Sequence, residues 1–180
     1  MLALGTIAPP DSLNGMPYRP MPFSLETERL TLRLWDETDA AGYRALVGER
    51  SGEMPTLDEA REEIRGARES APGRGIHLLT LRRRGTDDFL GYCGLVIGRA
   101  TIDEPELAYE LLRSAHGHGY ATEAAAAIVD AARDTGRTRL WSTVRAWNAP
   151  SFRVLEKIGF RRDHTTTDEH GDVVWSVLDL

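Results

Sequence analysis

A chain of 180 residues, 41% of them hydrophobic and 28% charged, can bury a core of its own, which argues for one ordinary globular domain and against a disordered or fibrous chain. Acidic residues outnumber basic ones 28 to 22, a formal net charge of −6, so nonspecific binding to nucleic acid or to an anionic membrane is disfavoured and a basic substrate mildly favoured. The lone cysteine, Cys93, excludes an internal disulfide and fits a reducing compartment; no apolar run approaches the ~20 residues that cross a bilayer, the N-terminus lacks a signal peptide's basic start and apolar run, and a cytoplasmic location is expected.

Residues 1 to about 22 carry Pro9, Pro10, Pro17, Pro20 and Pro22 with no helix or strand period, which predicts an extended arm, flexible or laid over the surface, with a dimer-swapping arm as the alternative. The remainder, 23–180, reads as one domain. Leu30, Leu32 and Leu34 alternate with Thr31, Arg33 and Trp35, a strand with one buried face. Thr38 or Asp39 then caps a helix to about Val47, and a second, heavily charged helix runs from Leu57 to Ser70. Two strands, Ile76 to Arg83 and Phe89 to Ile97, flank the polar turn Arg84 to Asp88 as a hairpin. Gly91, Gly94 and Gly98 mark bulges or close backbone neighbours, and Cys93 between them reads as a small buried hydrophobe.

A third strand, Glu106 to Leu112, enters the turn His116-Gly117-His118-Gly119-Tyr120-Ala121, and an alanine-rich helix follows to Asp134. Two glycines one residue apart leave the amides unshielded, and the helix N-terminus points its own free N–H groups at the same spot. Together they form an anion site, most naturally for phosphate, although an ordinary strand-to-helix connection would look the same. Zinc at His116 and His118 would need a further ligand, and none is evident, so no metal is expected. Arg139 to Arg145 forms a strand parallel to the one before the helix. Asn148-Ala149-Pro150-Ser151 opens a short helix stopped by Gly159, and Phe160 to Thr166 with Val173 to Leu180 closes the chain as a hairpin. The order β-α-α-β-β-β-α-β-α-β-β makes an α+β fold, a mixed, mostly antiparallel sheet flanked by helices.

Three separated segments, LETERLTLRLW, GHGYATEA and NAPSFRVLEKIGF, resemble the GNAT superfamily of acetyl-CoA-dependent N-acetyltransferases, over about residues 25 to 180. The first is similar to the branch that includes the RimJ and RimL-type ribosomal-protein N-terminal acetyltransferases. The resemblance implies acetyl-CoA as acetyl donor and a primary amine, a peptide N-terminus or a small molecule, as acceptor. It implies that a turn of the form Arg/Gln-x-x-Gly-x-Gly/Ala binds the pyrophosphate, here His116 to Ala121 with Thr122 adding an amide; histidine at the first position departs from the pattern. It also implies that pantetheine pairs with the strand before the turn, to about Leu111 and Leu112, and that the N–H groups around Leu111 stabilise the oxyanion.

An alkylamine with a pKa near ~10.4 must lose a proton before it attacks. Glu106 and Glu110 share one face of the strand, and Glu106 matches the position of the base in some relatives. Asn148 is implied as a pantetheine contact and Ser151 as a group near the sulfur that could protonate the thiolate; many relatives use a tyrosine in that helix, and none lies between residues 148 and 160. As bland alternatives, the carboxylates are structural and Asn148 and Ser151 only cap the helix. A noncatalytic acyl-CoA-binding module on the same scaffold, or a nucleotide-binding protein using the glycine turn, is the competing class. Acceptor choice is expected to rest on residues 39–70 and 166–172, where Asp58, Glu59, Glu62 and Glu63 are weakly consistent with a basic acceptor. The assembly is left between monomer and homodimer.

Overall fold

Residues 18–180 are described by a computed structural model. The strands are β1 (Ser24–Glu26), β2 (Leu30–Arg33), β3 (Leu78–Arg83), β4 (Phe89–Val96), β5 (Glu106–Leu111), β6 (Arg139–Arg145), β7 (Arg161–Asp168) and β8 (Gly171–Asp179). The helices are α1 (Ala40–Ser51), α2 (Leu57–Arg74), α3 (Tyr120–Asp134) and α4 (Ala149–Lys157). All eight strands form one sheet in the order β1-β2-β3-β4-β5-β6-β8-β7, antiparallel throughout except where β6 lies parallel to β5. A crossover through α3 makes that parallel pair, as a strand-helix-strand connection must.

Period-two alternation sends neighbouring side chains into different cores. Tyr92 packs with Trp35, Tyr43, Leu46 and Ile64 beneath α1 and α2, whereas the next residue, Cys93, packs with Leu79, Leu107, Ile128 and Leu155 beneath α3 and α4. Ala124, Ala125 and Ala132 are fully buried, small side chains that let α3 sit close on the sheet around the larger Ile128. Gly91 and Gly94 are close-approach positions as expected: a Cβ on either would meet the carbonyl oxygen of Glu110 or His77 at 2.1 and 2.2 Å.

Several expected boundaries move. The strand beginning at Leu30 ends at Arg33, and a three-residue strand, β1, precedes it. A short 3-10 turn, Glu37–Asp39, capped by Asp36, leads into α1. Asp39 occupies the N-cap position of α1 but makes no cap bond; its fully buried carboxylate accepts from Arg33 at 2.9 Å and from Arg82 on β3. The second helix runs past Ser70 to Arg74 with Pro72 inside its last turn, and Gly75 at φ +66° ends it. Of the N-terminal arm, Pro9, Pro10 and Pro17 lie outside the described residues. Its last part lies on the body: Arg19 donates its N–H to Thr135 O, Met21 to Gly75 O, both at 2.9 Å, and Met21 is buried.

Candidate functional site

The parallel pair β5–β6 is barely a pair. The two strands meet at one register position, Glu106 opposite Trp141, through Trp141 N–H to Pro105 O at 3.0 Å. One residue further, the buried Ser142 hydroxyl donates to Leu107 O at 3.0 Å, and beyond that no bond between the two backbones joins them. On its other edge β5 stays paired with β4 from Glu106 to Leu111. The strands therefore splay, and β5 presents an open edge to the gap.

Backbone groups alternate in direction along a strand, so the open groups can be identified. Leu107 points its carbonyl at β6, whereas Leu112 donates its N–H to Leu90 O at 2.9 Å, on the β4 side. Tyr109 and Leu111 share the direction of Leu107 and face the gap. The Leu111 carbonyl is taken by the His116 ring, Nε2 to O at 2.9 Å. Tyr109 N–H and C=O and Leu111 N–H remain for a ligand, whereas the Leu112 amide is spent on the sheet.

The glycine turn follows at the end of this edge. Gly117 and Gly119 stand at φ +78° and +82°, a region L side chains rarely adopt, and this lets the chain fold back into α3. None of the amides from Gly117 to Thr122 donates to a described backbone carbonyl, so a run of N–H groups lies beside the N-terminus of a fifteen-residue helix. The rings of His116 and His118 part company: one turns in to Leu111, the other stacks on Tyr120 at 5.6 Å.

The turn is also fastened from outside. Glu123, in the first turn of α3, accepts from the Thr27 hydroxyl at 2.6 Å, from Arg29 N–H at 2.8 Å and from the Arg29 guanidinium at 2.7 Å. Partial burial opposes ionisation of Glu123, but the bonds from Thr27 and Arg29 outweigh it and hold the carboxyl below its ordinary value. Arg29 bonds the His118 carbonyl at 2.9 Å and lies 4.8 Å over Tyr120.

On the α1 side the splay opens into a cleft of about 710 Å³. Glu106, Glu110, Tyr109, Asn148 and Ser151 all line it, so the expected catalytic residues do converge. Glu106 is 6% exposed; its carboxylate accepts from the Thr143 hydroxyl at 2.6 Å and from the Arg99 N–H, and a Cβ on Gly98 would collide with it. Glu110 is engaged through one oxygen, which accepts from Arg50 at 2.9 Å and from the Tyr92 hydroxyl at 3.0 Å. Burial first, and the neighbouring Glu110 second, push the Tyr92 phenol well above its ordinary range, so it stays a donor. Asn148 caps α4, its Oδ1 accepting from Ser151 N–H at 3.3 Å, while the Ser151 hydroxyl has no partner among the described residues.

Three features escaped the sequence reading. Tyr109 reaches across the splay and donates its hydroxyl to Ser151 O at 3.0 Å; its alternation placed it opposite the glutamates, but nothing local told where its ring would end. Thr143 and Arg50 hold the two glutamates. Asp168 in the closing hairpin accepts from Arg145 at 2.7 and 3.0 Å and from Arg99 at 2.7 Å, bridging the β4–β5 loop to the hairpin at the cleft.

Residues 29–161 match the family model described as acetyltransferase (GNAT) domain. Among curated proteins, the uncharacterized protein YkkB of Bacillus subtilis (strain 168) is 30% identical over 153 residues, 78% of this chain and 87% of its own. Among solved structures, a putative ribosomal-protein-serine acetyltransferase from Vibrio cholerae superposes with a TM-score of 0.75 at 18% identity, covering 89% of this chain and 99% of that one. The putative acetyltransferase yncA from Salmonella typhimurium, solved with its cofactor acetyl-CoA, gives 0.67 at 17% identity over 84% and 94%. The mixed eight-stranded sheet with four flanking helices is the fold these proteins share.

Proposed function

Because the chain belongs to the acetyltransferase (GNAT) family, we propose that residues 23–180 form a single domain that transfers the acetyl group of acetyl-CoA to a primary amine by direct attack in a ternary complex. The observation that carries this is the splay: an open strand edge at Tyr109 and Leu111 that leads to a run of amides, Gly117 to Thr122, with no backbone partner among the described residues. Pantetheine is an extended chain with amides of its own and fits the first; a pyrophosphate fits the second. His116 at the start of the turn serves by positioning, since its ring ties the turn to Leu111 O. The opening segment and the Vibrio neighbour support a place near the ribosomal-protein N-terminal acetyltransferases.

Chemistry follows from the lining of the cleft. The acceptor arrives protonated and gives its proton to Glu106, whose two oxygens each keep a free lone pair after bonding Arg99 N–H and Thr143. Glu106 forms no ion pair among the described residues, while Glu110 is neutralised by Arg50; Glu110 is the second carboxylate available for proton removal through its free oxygen. The amine nitrogen then attacks the thioester carbon, and the oxygen gains charge against the N–H groups of Tyr109 and Leu111. As the C–S bond breaks, the free Ser151 hydroxyl, directly or through a water, supplies a proton to the thiolate and takes up in return the proton that the attacking nitrogen sheds to become the amide. Asn148, fixed as the cap of α4, meets the pantetheine arm.

The test is release of free thiol from acetyl-CoA across a panel of amines and peptides. The reading expects release only with a competent acceptor, and a fall in kcat of about a hundredfold for Glu106→Gln. Intact acetyl-CoA binding with no release from any acceptor would favour a noncatalytic acyl-CoA-binding module, in which the bonds from Arg99 N–H and Thr143 give Glu106 a structural role.

A further inference from the structure

We infer that the acceptor is a zwitterion, a primary amine carrying a carboxylate a few bonds away, with its nitrogen at Glu106 and its carboxylate at Arg99. This rests on the acetyltransferase reading and narrows its acceptor from protein N-termini and small amines to small amines that carry a carboxylate, which sets it apart from the ribosomal-protein acetyltransferase reading. The net charge of the chain points toward a basic acceptor, but the cleft itself is lined by Arg50, Arg99 and Arg145 against Glu106 and Glu110.

Pairing these charges off leaves two. Arg50 is matched by Glu110 at 2.9 Å. Arg145 is matched by Asp168, which it grips through both of its terminal nitrogens at 2.7 and 3.0 Å. The bond from Arg145, then that from His170 N–H, hold the Asp168 carboxyl far below the usual carboxylate range, so it stays charged. Arg99 shares this same carboxylate through one nitrogen at 2.7 Å, so two guanidiniums draw on one anion and one positive charge is left over. The rest of the Arg99 fork has no partner among the described residues, and its side chain is 45% exposed. The anion left over is Glu106, buried and held only by neutral donors.

These two charges sit at opposite ends of a single residue. Arg99 holds Glu106 with its backbone N–H and Asp168 with its guanidinium. Their separation is therefore fixed by one arginine side chain pinned at both ends. An ammonium at Glu106 places a nearby carboxylate against Arg99, where a planar fork can grip it through two bonds. A plain amine leaves the guanidinium unmatched, and an amide offers it no charge. Trp147, 78% exposed although it lines the same cleft, supplies an apolar surface for the acceptor's side chain.

The experiment compares thiol release from saturating acetyl-CoA with L-phenylalanine, L-phenylalaninamide and phenethylamine, and with the corresponding alanine set, on the full chain. The amino acids are expected to exceed both derivatives in kcat/KM by about tenfold or more. In Arg99→Gln that ratio is expected to fall towards one through a rise in KM for the amino acids, with Arg99→Lys restoring part of it, while acetyl-CoA titration shows the variant folded and binding. Amides or plain amines reacting as well as the amino acids, or a ratio that survives Arg99→Gln, would overturn the inference and leave acetyl transfer standing. No release from any acceptor, with acetyl-CoA still bound, would overturn both.

Discussion

Replacing Asp39 with asparagine removes the anion from a buried cluster that ties α1 to the sheet. Asp39 is fully buried and faces two guanidiniums: Arg33, with 29% of its side chain exposed, and Arg82, with 11%. It also accepts the N–H of Asp36 at 2.8 Å. Asparagine keeps one acceptor oxygen but turns an NH₂ group toward donors, leaving Arg82 with little water and only the exposed Asp87, at 3.3 Å, as a counter-charge. Breaking a buried pair from one side costs about 3–5 kcal/mol; the partial exposure of Arg33 argues for the lower end, about 3 kcal/mol. At about 2–4 °C per kcal/mol for a chain of this size, Tm falls by about 6–12 °C. Thermal unfolding followed by circular dichroism reads it directly. The glycine turn lies on the opposite layer, so acetyl-CoA affinity at low temperature is expected to be kept. A loss under about 1 kcal/mol would refute the reasoning, since it would mean that the arginines are solvated or paired elsewhere.

Two glycines make a matched pair of opposite sign. Gly91→Ala should cost about 3–5 kcal/mol, because its φ of +144° strains any Cβ and the Glu110 carbonyl lies 2.1 Å from it. Gly66→Ala, on the helix α2 with nothing within 4 Å, should stabilise by about 0.5–1 kcal/mol in chemical denaturation. Equal effects would show that the close contact between β4 and β5 is not as tight as described. Glu123 gives a pH signature: its folded value is lowered, so its contribution is fully present above the ordinary glutamate range and is lost as pH falls through the folded value. Glu123→Gln should therefore be less stable than wild type at neutral pH by about 1–2 kcal/mol. The difference should shrink on acidification; a constant difference from pH 7 to pH 3 would count against the clamp.

Much of this architecture could be read from the chain because its signals are local. Alternation gave the strands, Gly117 and Gly119 the turn, and Asn148 with Pro150 the start of α4. What escaped depends on long-range geometry. Asp39 sits where a helix cap belongs, yet its side chain answers to Arg82 on a distant strand. The second helix, expected to end at Ser70, carries on through Pro72 to Arg74 before Gly75 ends it. The hairpin β7–β8 is plain in sequence, whereas the choice of β8 as the partner of β6 is made by packing. The site divides the same way. Alternation puts Glu106 and Glu110 on one strand face, and the family resemblance singles out Glu106, Asn148 and Ser151, but Tyr109 meeting Ser151, and Arg99 meeting Asp168, need the folded sheet.

The binding claim rests on the amides at the start of α3, and Thr122→Glu tests it with the least disturbance to the fold. Glutamate is well tolerated in the first turn of a helix and sets its negative charge where the pyrophosphate would lie. Calorimetric titration with acetyl-CoA should show one molecule bound per chain of the wild type, and affinity weakened about tenfold or more in the variant, with Tm unchanged or raised. No binding to the wild type at millimolar ligand, or equal affinity in the two proteins, would contradict the account.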